Sequence, residues 1–299
     1  MSFSHRLVMP ADARAVADLI ADHDAALRDV PERLSEQDIL EWWKRIVEGD
    51  AIAITDDGGR LVGAGMLRRR GETGFASNFV HPDFRGQGAG LFLLNWTEQR
   101  AVEAGAAALR VSIADRDAAA KALVEGRGFA YVRSFYRMSI ELDEPPPLPH
   151  WPVGFTVATL QPGEEQLVYA TIEEAFVDHW DHQARSFEEW SGLVRLDPPL
   201  CFLVRAEDGT VVAAEYCSEE RFGVGWVEVL GVRRPWRRRG LGEALLQLAF
   251  RELYDRGQRR IGLGVDASNP TGATRHYERV GMTPAAQDDI YEKPVQPGG

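Results

Sequence analysis

One turn occurs twice in this sequence. Arg85-x-x-Gly88-x-Gly90 returns, displaced by 152 residues, as Arg237-x-x-Gly240-x-Gly242. The same displacement carries Gly105 onto Gly257, Leu109 onto Ile261 and Val111 onto Leu263. Upstream, Asp57-Gly58 answers Asp208-Gly209 at 151, and downstream Gly128-Phe129 answers Gly281-Met282 at 153. So long a period means two copies of one domain, because solenoid repeats span only about 20–50 residues. A chain of 299 residues holds two domains of ordinary size. Between the copies, Asp143-Glu144-Pro145-Pro146-Pro147-Leu148-Pro149-His150-Trp151-Pro152 reads as an extended connector. The expected organisation is a domain over 1–143, a proline-rich linker over 144–152 and a second domain over 153–299.

Each copy reads as strand, helix pair, hairpin, strand, glycine turn, helix, strand, helix and strand, a mixed α/β order. In the second copy the strand Trp226–Val232 runs into Arg233-Arg234-Pro235-Trp236-Arg237-Arg238-Arg239-Gly240-Leu241-Gly242. From Leu241 the period changes, and Leu241, Leu245, Leu248 and Ala249 share one helix face. The turn therefore sits at a helix N-terminus, where unpaired N–H groups and the positive end of the dipole converge. Its glycines let a ligand approach the backbone, and its arginines suit phosphate. A Walker loop is excluded by Glu243 and Ala244 after Gly242, and a Rossmann turn by Leu245 in place of the third glycine.

The turn resembles the Q/R-x-x-G-x-G/A signature of the GNAT acetyltransferases, and the tandem arrangement is similar to mycothiol synthase and related two-domain acetyltransferases. The resemblance covers essentially the whole chain. It implies two GNAT-like α/β domains and acetyl-CoA as cosubstrate, with the pyrophosphate held by Arg237, Arg238, Arg239, Gly240, Leu241 and Gly242. The corresponding first-copy residues are Arg85, Gly86, Gln87, Gly88, Ala89 and Gly90, with Val80 in the place of Val232. By the same resemblance the backbone near Leu230 and Val232 polarises the acetyl carbonyl and pairs with pantetheine. Asn269 contacts the pantetheine arm, and Tyr277 is the general acid for the departing thiolate. A tyrosine packing on the sheet is the alternative reading of Tyr277.

The attacking amine must lose a proton, and Glu228 is the candidate base. Strand alternation puts it on the face of Trp226 and Leu230, where apolar neighbours are expected to raise its pKa. A solvent-facing Glu228 is the alternative, with Glu215 in Val211–Tyr216 as alternate base. The first copy keeps the cradle and loses the rest. Asp117 stands where Asn269 does, and Tyr277 maps to Glu125 or Val124. The first domain is therefore expected to bind CoA or nothing, and not to catalyse.

Composition bounds the remaining choices. With 34 basic and 46 acidic residues the formal charge is −12, which argues against a general nucleic-acid binder despite five arginines between 233 and 239. Cys201 and Cys217 give no zinc spacing and read as inert buried thiols. His179 and His182 among Asp178 and Asp181 can be drawn as a metal site, but acetyl transfer needs none, and no metal is expected. Instead the stretch from Phe176 to Trp190 is expected to form a lid over the acceptor, with Trp180 or Trp190 against it. No apolar run approaches membrane-spanning length, so the expected location is cytoplasmic with no membrane partner. The expected function is N-acetyl transfer to a small-molecule amine in the second domain. The alternative is a non-catalytic protein that binds and senses acyl-CoA.

Overall fold

The computed structural model describes residues 3–29, 31, 33–268 and 272–296. The first half runs β1 (Ser4–Leu7), α1 (Ala13–Ala25), α2 (Glu36–Lys44), β2 (Ala51–Thr55), β3 (Leu61–Arg70) and β4 (Thr73–Val80). It continues with α3 (Ala89–Glu103), β5 (Ala108–Ala114), α4 (Ala118–Gly126) and β6 (Ala130–Glu141). The second half repeats the order: β7 (Phe155–Thr159), α5 (Glu165–Phe176), α6 (Phe187–Leu193), β8 (Cys201–Ala206), β9 (Val211–Arg221) and β10 (Val224–Val232). Then come α7 (Leu241–Asp255), β11 (Arg260–Asp266), α8 (Ala273–Arg279) and β12 (Thr283–Pro294). This is the mixed α/β architecture that the element order implied. No described helix is long and apolar enough to cross a membrane.

Two compact units emerge. Unit 1 is Met1–Tyr136 with Asp266–Ser268 and Ala285–Gly299, and unit 2 is Arg137–Val265 with Asn269–Pro284. In unit 1 the strands lie in the order β1-β2-β3-β4-β5-β12. Its last strand comes from the far end of the chain, Asp288 to Pro294 pairing antiparallel with Ala114 to Ala108. In unit 2 the order is β7-β8-β9-β10-β11. Residues Arg137–Glu141 belong to that unit too: Leu142 N donates to Arg259 O at 2.7 Å.

Local chemistry explains the elements. A capping box starts α2, with Ser35 Oγ accepting from Asp38 N and Asp38 from Ser35 N. Ser186 and Glu189 do the same for α6. In the two hairpins, Gly59 N donates to Asp56 O and Gly209 N to Ala206 O, both at 2.9 Å. The hairpins therefore superpose at a displacement of 150, with Gly59 on Gly209. This corrects the expected match of Asp57-Gly58 to Asp208-Gly209.

Each sheet has an apolar layer on both faces. In unit 1, Val16, Leu19, Ile20 and Ile39 of α1 and α2 pack on Ala64. On the other face Leu94 and Ala101 of α3 and Val124 of α4 pack with Leu67, Leu109 and Val111. In unit 2, Val168 and Ile172 of α5 and Trp190 of α6 pack on Cys201, Leu203 and Tyr216. Each buried aliphatic side chain contributes about 1.5–3 kcal/mol.

Candidate active site

In both units the central parallel pair stops short. β4 pairs with β5 only from Thr73↔Ala108 to Ala76↔Val111, although the strands continue to Val80 and Ala114. β10 pairs with β11 only from Gly225↔Ile261 to Val227↔Leu263, and continues to Val232. The unpaired ends face the glycine turn. In unit 1 this place is a cavity of about 340 Å³, lined by Ala76, Asn78 and Val80 on one side and Val111–Ala114 on the other. Arg85, Gly86, Gly88 and Gly90 of the turn and Asp117, Leu123 and Val124 also line it.

The turns are built alike. Gly88 and Gly240 have φ of 95° and 87°, a left-handed conformation that glycine adopts without penalty, and each caps the helix that follows. The first arginine of each turn points inward. Arg237 donates from Nε to Val232 O at 3.0 Å and from Nη2 to Ala175 O at 2.7 Å. Arg85 reaches His23 O at 3.3 Å, at the position equivalent to Ala175. These guanidiniums pin the turn to the end of α5 or α1. Arg233 contacts Thr171 Oγ1 and Glu174, and Arg234 pairs with Asp178. Arg239 lies over the Trp236 ring at 4.7 Å, and Arg238 is exposed at φ 62°. The arginine run is therefore mostly committed within its own unit, not a uniform anion surface.

Glu228 sits elsewhere than alternation suggests. Val227 opposes Cys217 and Val229 opposes Tyr216, so Glu228 is the extra residue of a β-bulge. Its carboxylate accepts from Ser218 Oγ at 2.8 Å and pairs with Arg221. Its neighbours therefore include a cation and a hydroxyl as well as apolar side chains. Glu215 is the fully enclosed carboxyl. It is 0 % exposed, opposes Leu230 on β10 and Phe202 on β8, and neither oxygen has a hydrogen-bond partner among the described residues. Burial pushes its pKa well above the ordinary carboxylate range.

Tyr277 lies on α8 one turn before Gly281, whose φ is 93°. Burial pushes its pKa up to about 12, so the phenol keeps its proton at neutral pH. Its counterpart is now fixed. Met282 N donates to Tyr277 O and Phe129 N to Val124 O, both at 3.1 Å, so Val124 holds the equivalent place. Asn269, the expected pantetheine contact, lies outside the described residues.

Other expectations resolve differently. Trp190 is 4 % exposed and packs against Tyr169 and Phe187, which makes it core and not lid. His182 lies 3.3 Å from Glu173, and His179 stacks on Phe176 at 4.2 Å. Burial raises the Cys201 thiol to about 12. Two histidines escaped the sequence reading. His23 lines the unit 1 cavity, with Nδ1 3.0 Å from Val80 O. His276 stands beside Gly242 at the start of α7. Nothing local in the sequence distinguished either histidine.

The cradles fit a phosphopantetheine cosubstrate. A Cβ at Gly242 would meet His276 Nε2 at 3.4 Å and Leu230 Cδ2 at 3.7 Å, ordinary van der Waals contact, and Gly240 takes the left-handed conformation that brings its backbone to the turn. Among the described residues, the buried oxygens of Glu215, Oε1 and Oε2, have no hydrogen-bond partner.

Comparison with known proteins agrees with this geometry. The model of the acetyltransferase (GNAT) family matches residues 17–129 and 165–282. A mycothiol acetyltransferase of Thermobispora bispora is 31% identical over 95% of this chain and 97% of its own. That of Streptomyces coelicolor is 31% identical over 94% and 92%. Among solved structures, a GCN5-related N-acetyltransferase from Sphaerobacter thermophilus has a TM-score of 0.87 at 34% identity, covering 99% of this chain and 97% of its own. A tandem GNAT protein from the clavulanic acid biosynthesis pathway has a TM-score of 0.74 at 15% identity, covering all of both chains, and is alike in fold alone.

Proposed function

This chain belongs to the GNAT acetyltransferase family and is an acyltransferase, and we propose that its C-terminal domain moves the acetyl group of acetyl-CoA to a primary amine of a small molecule. The observation that carries this reading is Tyr277: a largely enclosed phenol that keeps its proton, in register with the cradle, and replaced by Val124 in unit 1. Tyr277 gives that proton to the departing thiolate, and a placed acid contributes on the order of 10²–10⁴ in rate. Glu228 takes the proton from the amine. Glu228 is the candidate beside a cation and a hydroxyl, Arg221 and Ser218, whereas Glu215 is fully enclosed and burial pushes its pKa well above the ordinary carboxylate range. Gly240, Leu241 and Gly242 present the α7 N-terminus to the pyrophosphate, with Arg238 and Arg239 at its rim. Asn269 holds the pantetheine arm, and the backbone of Leu230 and Val232 orients the acetyl carbonyl.

Unit 1 binds CoA without turnover. Its cavity keeps the cradle of Val80 and Arg85 to Gly90, but Val124 has no proton to give. The relatives' name suggests a mycothiol precursor as the first amine to try, followed by polyamines and aminoglycosides. The test is release of free CoA thiol from acetyl-CoA with this panel. Tyr277→Phe is expected to lower kcat about 10²-fold or more while acetyl-CoA affinity stays within a factor of two. A Tyr277→Phe protein as active as the wild type would remove the tyrosine from the mechanism. Tight acetyl-CoA binding with no turnover on any amine would favour a sensing role.

A further inference from the structure

In unit 1 a side chain already covers the strand edge at which a ligand would pair. His81 N donates to Val62 O on β3 at 2.9 Å, so by alternation the backbone groups of Val80 and Asn78 turn the other way, toward β5. Pairing with β5 ends at Ala76↔Val111, and beyond it no strand among the described residues pairs with these groups. Both residues line the cavity. Such an edge takes an extended ligand that carries amides, much as it would take another strand. Until a ligand comes, backbone groups turned away from water need another partner. At Val80, which is buried, His23 supplies it: Nδ1 lies 3.0 Å from Val80 O and 3.4 Å from Val80 N. One ring nitrogen covers both groups.

The ring is held there from two sides. His23 stands in the last turn of α1 and meets the Phe79 ring edge-on at 5.5 Å. Arg85 Nη2 lies 3.3 Å from both His23 Nδ1 and His23 O. Unit 2 is built otherwise. Ala175 occupies the equivalent place, where its methyl group has neither donor nor acceptor, and Val232 O is capped by Arg237 of the turn itself. We propose that His23 is a displaceable plug: it holds Val80 as an amide of the pantetheine arm would, and acetyl-CoA enters unit 1 by pushing it off. His23 thereby sets the acetyl-CoA concentration at which unit 1 fills, a control that unit 2 lacks. Burial holds the ring's pKa below the ordinary histidine value, so the hydrogen bond given up at Val80 is between neutral groups, and a ligand amide can replace it. The inference rests on the reading that the unit 1 cavity takes CoA, and adds to it the residue that regulates entry.

The test is calorimetric titration with acetyl-CoA of the full chain, with His23 and with His23→Ala. Both proteins carry Gly242→Glu, which puts a carboxylate into the unit 2 cradle so that only unit 1 is titrated. Alanine is the residue unit 2 already has at this place. His23→Ala is expected to bind acetyl-CoA about threefold to tenfold tighter, the worth of one hydrogen bond between neutral groups. A histidine that only packs would give the opposite sign. ADP, which carries the pyrophosphate without the arm, is expected to bind both proteins alike. In the protein that keeps His23, labelled with ¹⁵N-histidine, the Nδ1 resonance is expected to move as acetyl-CoA fills unit 1. An acetyl-CoA affinity that does not rise in His23→Ala, a gain as large for ADP, or a resonance that stays in place as unit 1 fills would each overturn the proposal. Absence of acetyl-CoA binding from both proteins would instead overturn the reading that unit 1 takes CoA, and this inference with it.

Discussion

The same cross-strand site is filled in opposite ways in the two units. On the cradle-helix face of unit 1, Gly65 on β3 opposes Asn78 on β4. Asn78 Nδ2 donates to Thr97 Oγ1 on α3 at 3.3 Å. In unit 2 the pair is Glu215 and Leu230, so the polar group has changed strands and lost its partner. β4 keeps an unbroken register with β3, whereas β10 carries the bulge at Glu228. Leu123 and Val124 in unit 1 become His276 and Tyr277 in unit 2, and Gly86, at φ 72°, becomes Arg238 at 62°. Glu215, Glu228, His276, Tyr277 and Arg238 add titratable or charged groups beside the unit 2 cradle, while His23 of unit 1 gives way to Ala175. Duplication kept the scaffold and concentrated the unfavourable residues in one copy, which is where strain and unpaired polar groups are expected to serve a function.

The arginine that pins the turn is the largest feature the units share, and removing it should separate them. Arg237 makes two carbonyl hydrogen bonds and Arg85 has one carbonyl contact at 3.3 Å. Arg237→Ala is expected to cost about 2–3 kcal/mol of stability, because both part-buried carbonyls lose a charged donor, and Arg85→Ala less. Equal losses in chemical denaturation would mean that the two turns are held the same way.

Glu215 sharpens the contrast through pH. Its folded-state pKa is raised above the unfolded value, so protonated Glu215 is compatible with the fold below the unfolded pKa. Stability is lost as pH rises from the ordinary carboxylate range toward the raised folded value. Glu215→Gln, which cannot ionise, should match the wild-type Tm near pH 4 and exceed it increasingly toward pH 8. A constant offset across that range would mean that Glu215 is ionised and paired in the fold.

The smallest expected effect concerns Arg238. A non-glycine residue at positive φ costs about 1 kcal/mol, and unit 1 avoids this with Gly86. Arg238→Gly should therefore raise stability by about 0.5–1 kcal/mol, while acetyl-CoA binds less tightly for want of the exposed guanidinium. An unchanged or lower Tm would show that the strain is relieved elsewhere in the turn.

Much of this was legible in the sequence, for a reason that can be stated residue by residue. Gly88 and Gly240 cap their helices in the left-handed conformation because no other residue does so without penalty, and that requirement is local. The alternation of apolar runs and helical periods is local too, which is why the element order and the α/β class followed from reading alone. The fate of each long side chain was not legible. Arg237 and Arg238 are neighbours with identical chemistry, yet one is turned onto Val232 O and Ala175 O and the other is exposed.

By itself the sequence determined the duplication, the order of elements in each copy, the two cradles at helix N-termini and the absence of a first-copy hydroxyl at the place of Tyr277. These depend on spacing and on backbone conformations that single residues impose. Tertiary structure alone decided that Glu228 sits in a bulge, that Glu215 is the buried carboxyl, that His276 faces Gly242, and that the end of the chain supplies a strand to unit 1. Each depends on register between strands or on contacts between residues distant in the chain, and a one-residue slip in pairing changes which side chain meets water, a helix or a ligand.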